Sequence, residues 1–257
     1  MPRGICKLCL KTKKLTKSHF MPAALYSKKA SSAYATRTNI GPSNREIKAW
    51  LLCCDCEQLF NENGESEVLR YTNPKGPRFP LHEMLKVGLP REYHPDLSRF
   101  SGADFGVDMD KFAYFAISVA WRGAVHDWIM PDGTVDDRYE LGEFVEPMRV
   151  YLLGKAPSAG YCRDVVVSTD DEARRVWITP ATHVEMNCLN VRFLTFGVFF
   201  RVMMGYGMPQ FFRNHCCTSP RKCLFSGSDK HRMPEIMRLF ERAAPAQASN
   251  LSSTSKE

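Results

Sequence analysis

Two C-x2-C pairs, Cys6/Cys9 and Cys53/Cys56, stand with 43 residues between them. Four thiolates so paired can close on one tetrahedral Zn²⁺, and a four-sulfur site of that kind is structural, with no coordination position left for a reactant. Four ordinary buried thiols are the plainer alternative, but the repeated spacing around one basic stretch favours the metal. Cys54 lies beside the second pair, yet only Cys53 and Cys56 reproduce the two-residue spacing. Chemistry, if there is any, falls to the neighbours. Ser18-His19-Phe20-Met21-Pro22 follows the first pair, while Glu57 and Asn61 follow the second at i, i+4 spacing, which puts both on one face of a helix. That arrangement suggests a second, open metal site.

These residues resemble the HNH nucleases, a family with a zinc-stabilised ββα-metal core. The family's order of C-x2-C, then His-x-x-Pro, then Leu-Cys-x-x-Cys is met here by Cys6/Cys9, His19-Phe20-Met21-Pro22 and Leu52-Cys53-Cys54-Asp55-Cys56. The resemblance covers roughly the first 65 residues. Ser18 stands where the family often carries a metal-binding acid or His, and Glu57 and Asn61 stand where His is commoner. Oxygen ligands at the helix suit Mg²⁺ or Mn²⁺. The resemblance therefore implies His19 as general base, Cys6, Cys9, Cys53 and Cys56 as ligands of a structural zinc, and Glu57 and Asn61 as ligands of a catalytic divalent ion, with Glu65 in reserve. It also implies an endonuclease that hydrolyses phosphodiester bonds of double-stranded DNA, in a bacterial or phage-related setting such as antiviral defence.

Charge agrees with a polyanionic partner. Residues 1–50 hold eleven Lys or Arg against one acid, Glu46, a balance of +10, while the rest of the chain, with 24 basic and 27 acidic residues, sums to −3. Basic side chains that neutralise phosphates release counterions and supply affinity independent of sequence. Lys13, Lys14, Lys17, Lys28, Lys29 and Arg37 are the expected phosphate contacts. A merely solvated basic surface is the alternative.

At 257 residues, 44% of them hydrophobic, the chain can bury a sizeable core. The most apolar run, Phe193 to Met204, is too short to span a bilayer and contains Arg201, so no membrane partner is expected. The N-terminus lacks the apolar core of a signal peptide, which points the ten cysteines to a reducing cytoplasm as metal ligands or thiols.

Along the chain, Cys6–Cys9 predicts a knuckle, and the residues up to His19 and then Ile47–Leu52 predict the two strands of a hairpin. The polar stretch Ser27–Ser43 predicts an exposed basic loop between them. Asp55–Leu69 predicts a helix weakened by Gly64. Pro74, Gly76, Pro77 and Pro80 mark a linker, so the expected division is a nuclease-like module over 1–72, an α+β domain over 73–243 and a disordered tail over 244–257. In the second region Met109–Met130 has the clearest helical spacing, with a further helix over Asp136–Leu153 and a hairpin of Cys162–Ser168 with Arg174–Ile178; His183–Tyr206, rich in Val, Phe and Thr, is best read as two buried strands, with a helix the alternative that periodicity leaves open. Pro234-Glu235 opens a last short helix. The fold class is thus α+β, a zinc-bound ββα-metal module followed by a larger α+β domain that serves a protein partner or a second copy of the chain.

Several other residues have a structural reading beside a functional one. His215, Cys216, Cys217 and Cys223 fit no trusted metal spacing and read as buried thiols. Trp121 and Arg122 suit either the core or nucleic acid, and His126 reads as an ordinary helix histidine. Two other functions stay open: a noncatalytic zinc-containing nucleic-acid-binding protein, and a protein-interaction module in which zinc is a staple.

Overall fold

The structure, a computed structural model, describes residues 1–26, 33–35, 40–42, 46–72, 78–93, 98–130, 133, 135–136, 139–156, 164–169, 176–185, 187–205, 207 and 210–226. The expected contacts Lys28, Lys29 and Arg37, most of the linker, the helix opening at Pro234 and the tail 244–257 lie outside these residues.

The chain starts with β1 (Arg3–Ile5), turns through the first cysteine pair and returns as β2 (Thr12–His19), antiparallel to β1. The knuckle closes when Leu10 N donates to Cys6 O, and Leu10 takes φ +59 to make the turn. After β3 (Ala33–Ala35) and β4 (Ile40–Pro42), β5 (Lys48–Cys53) pairs antiparallel with β2, setting Lys17 opposite Trp50 and His19 opposite Lys48. The stretch expected to be a basic loop therefore contains two short strands. Ala-Tyr-Ala and Ile-Gly-Pro are apolar islands among polar residues, and β3 joins the edge of a distant strand, a pairing that local composition cannot reveal.

The next helical stretch is continuous but not uniform: α1 (Cys54–Phe60), a π turn over Asn61–Glu65, and α2 (Ser66–Thr72). Gly64 sits in the π turn where the neighbouring helix comes close; a Cβ there would lie 3.0 Å from the backbone of Phe115, so a side chain would fit only if the two helices moved slightly apart. The glycine that weakens helix propensity is what lets the helices touch.

Beyond α3 (Pro80–Val87), which takes Pro80 in its first turn, and β6 (Ser98–Ser101) comes α4 (Met109–Val125). Asp108 caps it, its Oδ1 accepting from Asp110 N and Lys111 N at 3.1 Å, an arrangement worth about 1 kcal/mol. The helix ends earlier than its sequence periodicity suggests. Trp128–Ile129 forms β7, paired with β8 (Val135–Asp136), so the helix expected over 136–153 shrinks to α5 (Val145–Leu152). Gly142, at φ +53, interrupts the segment before it.

The large sheet completes the fold with β9 (Asp164–Thr169), β10 (Val176–Glu185), β11 (Cys188–Thr195) and β12 (Val198–Met204), then α6 (Gln210–His215) and β13 (Cys223–Ser226). Its order is β4-β3-β10-β11-β12-β9-β13-β6. β11 and β12 form the expected buried pair, joined by a two-residue turn in which Phe196 and Gly197 have φ +40 and +82, the twist that suits a tight hairpin. The expected hairpin of β9 with β10 does not form. β10 pairs with β11 and β9 pairs with β12 and β13, because the β11–β12 hairpin inserts between them.

Helix α4 is the common wall of both regions. Phe115 meets Phe193 and Phe200 of the large sheet edge-on, and Trp121 and Tyr114 meet Phe60 of α1. One cluster of buried residues runs from Cys6 through Phe60 and Trp121 to Phe200 and Leu224, crossing the composition change near residue 72. Each fully buried Phe in it contributes about 1.5–3 kcal/mol. Helix and strand are mixed throughout, as an α+β class requires, and no helix among the described residues is long and apolar enough to cross a membrane.

Candidate metal centre and active site

The knuckle after β1 and the start of α1 bring the four cysteines of the two pairs together. Their sulfurs all lie within 4.8 Å of one another. Ligands about 2.3 Å from a tetrahedral zinc stand roughly 3.8 Å apart, and Cys9 Sγ and Cys53 Sγ are 3.9 Å apart. Cys6, Cys53 and Cys56 are buried whereas Cys54 is exposed, which separates ligand from bystander as the spacing did. Backbone geometry favours anionic sulfur here, since Cys53 N donates to Cys6 Sγ at 3.4 Å. A hydrogen bond from Cys56 holds the Cys6 thiol down to about 4, while that same contact and burial push Cys56 up. The donor set is compatible with a structural zinc site.

Where β2 ends, alternation sends Ser18 inward and His19 toward the outer face. Ser18 is fully buried, and its Oγ accepts from Leu52 N at 3.0 Å. The same hydroxyl stands by Glu57 and favours its charged form, but burial, the larger influence, raises the Glu57 carboxyl above the usual range. Glu57 Oε1 is buried without a hydrogen-bond partner among the described residues. A carboxylate in that condition fits a cation.

His19 has its Nε2 3.7 Å from Glu46 Oε2, an ion-pair distance and not a hydrogen bond. Burial lowers its pKa, with Glu46 acting in the opposite sense and Lys48 reinforcing burial. The ring is thus biased to its neutral form near pH 7, the form that accepts a proton. Its backbone is fixed from the far side of the core. Arg122 Nη1 donates to His19 O at 2.7 Å, and Arg122 Nη2 reaches Glu65 Oε1 at 2.5 Å.

Asn61 and Glu65 are separated by the π turn. Asn61 is exposed and its Oδ1 accepts from Ser66 Oγ at 2.8 Å, whereas Glu65 is committed to Arg122. The helix is still regular between Glu57 and Asn61, where Asn61 N donates to Glu57 O, and the π turn opens beyond it, so the two stand one turn apart with Glu57 half-buried and Asn61 exposed. Among the described residues no group of three or more His, Cys, Asp or Glu besides the cysteine cluster is spaced to hold an ion. His215, Cys216, Cys217 and Cys223 accordingly stay buried or surface groups of the α6–β13 region, without metal geometry.

Of the expected phosphate contacts, Lys14 and Lys17 are exposed, and Lys13 is paired with Asp55 at 2.5 Å. Three residues outside the site expected from sequence complete it. Arg122 was readable as a cation set in the apolar part of a helix, Glu46 as the single acid among the first 50 residues, and Trp50 as an indole on a hairpin strand. Trp121 lies in the core, so the Trp121-Arg122 pair takes no part in a surface.

Comparison with models of known protein families, with curated proteins and with solved structures finds no match.

Proposed function

We propose that this chain is a metal-dependent nuclease of HNH type that hydrolyses DNA phosphodiester bonds, with Cys6, Cys9, Cys53 and Cys56 holding a structural zinc. The observation that carries the reading is a carboxylate with a buried, unsatisfied oxygen, Glu57, beside Ser18, the neighbour in sequence of a histidine biased to its neutral form, His19. His19 takes the proton from the attacking water, and Glu46 beside it steadies the charge that the ring acquires. Arg122 positions His19 through its carbonyl. Lys14 and Lys17 hold the phosphate backbone by charge.

Glu57 would hold a Mg²⁺ or Mn²⁺ ion, since such ions are bound through one or two carboxylates with water and substrate phosphate filling the remaining positions. When bound, the ion supplies charge stabilisation at the pentacovalent phosphorus and the leaving 3′ oxygen. Asn61, the other ligand implied by the resemblance, would join through the second lone pair of the Oδ1 that already accepts from Ser66.

The test is cleavage of supercoiled plasmid with added Mg²⁺ or Mn²⁺ and with EDTA. Cleavage that requires the ion, and a Glu57→Ala variant that needs more of it, are the expected results. Absence of cleavage with every divalent ion sinks the proposal. The reading that would then take its place is a noncatalytic zinc-containing nucleic-acid-binding protein. It is favoured by the outward-held Asn61 and by Ser18 in place of an acid.

A further inference from the structure

Of the four tryptophans, Trp121, Trp128 and Trp177 are at most 1% exposed, while Trp50 is 42% exposed. It sits on β5, where a strand could bury an indole against the helices, and alternation instead turns it outward with Lys48 two residues before. Lys17 is its cross-strand partner, with Nζ 5.4 Å from the ring centroid. His19 is the diagonal neighbour on the same face, at the roughly 7–8 Å expected for such a pair. An exposed aromatic ring, two lysines and the half-buried candidate base, whose Nε2 is itself covered, therefore share one side of the hairpin.

We infer that Trp50 is a stacking platform for an unpaired base beside the backbone that Lys17 holds, so that the preferred ligand of this face is single-stranded DNA. Within a paired duplex each base has both faces covered by its neighbours, so a protein ring finds an open π-face only on an unpaired or extruded base. Lys17 beside the ring and Lys48 one step along β5 lie where the phosphates flanking such a base would run. Lys48 also pairs with Glu46, which leaves Lys17 as the principal cation on the strand. The inference rests on the nuclease reading for the role of His19, but the binding it describes does not need cleavage.

The experiment titrates the full chain, without added divalent ion, with a short oligothymidylate and with a mixed-sequence duplex of equal length, reading tryptophan fluorescence and affinity. Oligothymidylate should quench the exposed indole and shield it from acrylamide. Trp50→Phe should keep the affinity and lose the quenching, because phenylalanine still stacks. Trp50→Ala should weaken single-strand binding roughly 5- to 150-fold while leaving duplex binding unchanged. Absence of quenching, or an equal loss on both ligands, overturns the inference. Quenching and discrimination in a chain that cleaves nothing would uphold the platform and sink the nuclease reading. Ion-dependent cleavage with Trp50→Ala equally weak on both ligands would do the reverse.

Discussion

Replacing Arg122 with Met should cost more stability than any surface substitution, and the structure says why. The guanidinium is 1% exposed, it donates to Glu65 Oε1 at 2.5 Å and His19 O at 2.7 Å, and it touches the Ser118 hydroxyl. Methionine fills much of the space and keeps contact with Phe60, so packing loss is the smaller effect. The larger one is electrostatic, because the Glu65 side chain, 16% exposed, is left without its counter-charge and His19 O without its donor. Removing one partner of a buried pair costs about 3–5 kcal/mol, which for a chain of this size lowers Tm by roughly 6–20 °C. Urea denaturation should show a lower midpoint at unchanged slope. Exchanging both partners, Arg122→Met with Glu65→Leu, should recover most of the loss, since no uncompensated charge remains. A single variant within about 1 kcal/mol of the parent, or a double variant no better than the single, would refute the reasoning.

Three further outcomes follow from the same geometry. Cys6→Ser or Cys56→Ser should release bound zinc and unfold the hairpin and α1, because binding energy in a four-sulfur site is folding energy; metal analysis that finds no zinc in the unmutated chain would contradict this. Lys14→Glu with Lys17→Glu should weaken DNA binding alike on all sequences and flatten its salt dependence, by a slope of about 0.9 for each phosphate no longer neutralised, as fluorescence anisotropy at several salt concentrations would read. The third concerns pH. Burial lowers the pKa of His19 below the roughly 6.5 of the unfolded chain, so the unfolded state binds the proton more readily. The stability that neutral His19 contributes is present above that value and is lost as pH falls toward the lower folded pKa. Cleavage should likewise be level at neutral pH and fall on acidification with a midpoint below about 6.5, with Glu46, Lys48 and Glu65 setting where. A midpoint above that value would contradict the burial argument.

The parts of this fold that were legible in the sequence are those set by local chemistry. Two-residue cysteine spacing is a property of the knuckle itself, so the Cys6, Cys9, Cys53, Cys56 cluster and the exclusion of Cys54 could be read directly. The apolar spacing of α4 and the β11–β12 hairpin belong to the same class. What escaped depends on partners distant in the chain. β3 and β4 exist only as additions to β10, and β9 leaves its neighbour in sequence for β12. The π turn over Asn61–Glu65, where Gly64 lies against the backbone of Phe115, is likewise a fact of tertiary packing invisible in i, i+4 arithmetic. Arg122 illustrates the limit best: its helix position was clear, but its bonds to His19 and Glu65 join residues 103 and 57 positions away.

The central claim is that His19 is the base of a nuclease, and one measurement addresses it most directly: single-turnover cleavage of plasmid DNA by the parent and by His19→Ala, at equal zinc content and equal DNA binding. The account predicts that the parent cleaves with Mg²⁺ or Mn²⁺ and that His19→Ala is slower by something like 10²- to 10⁴-fold, the range typical of losing a positioned base. A His19→Ala variant that cleaves at the parent's rate, or a parent that cleaves with no divalent ion tested, would contradict it.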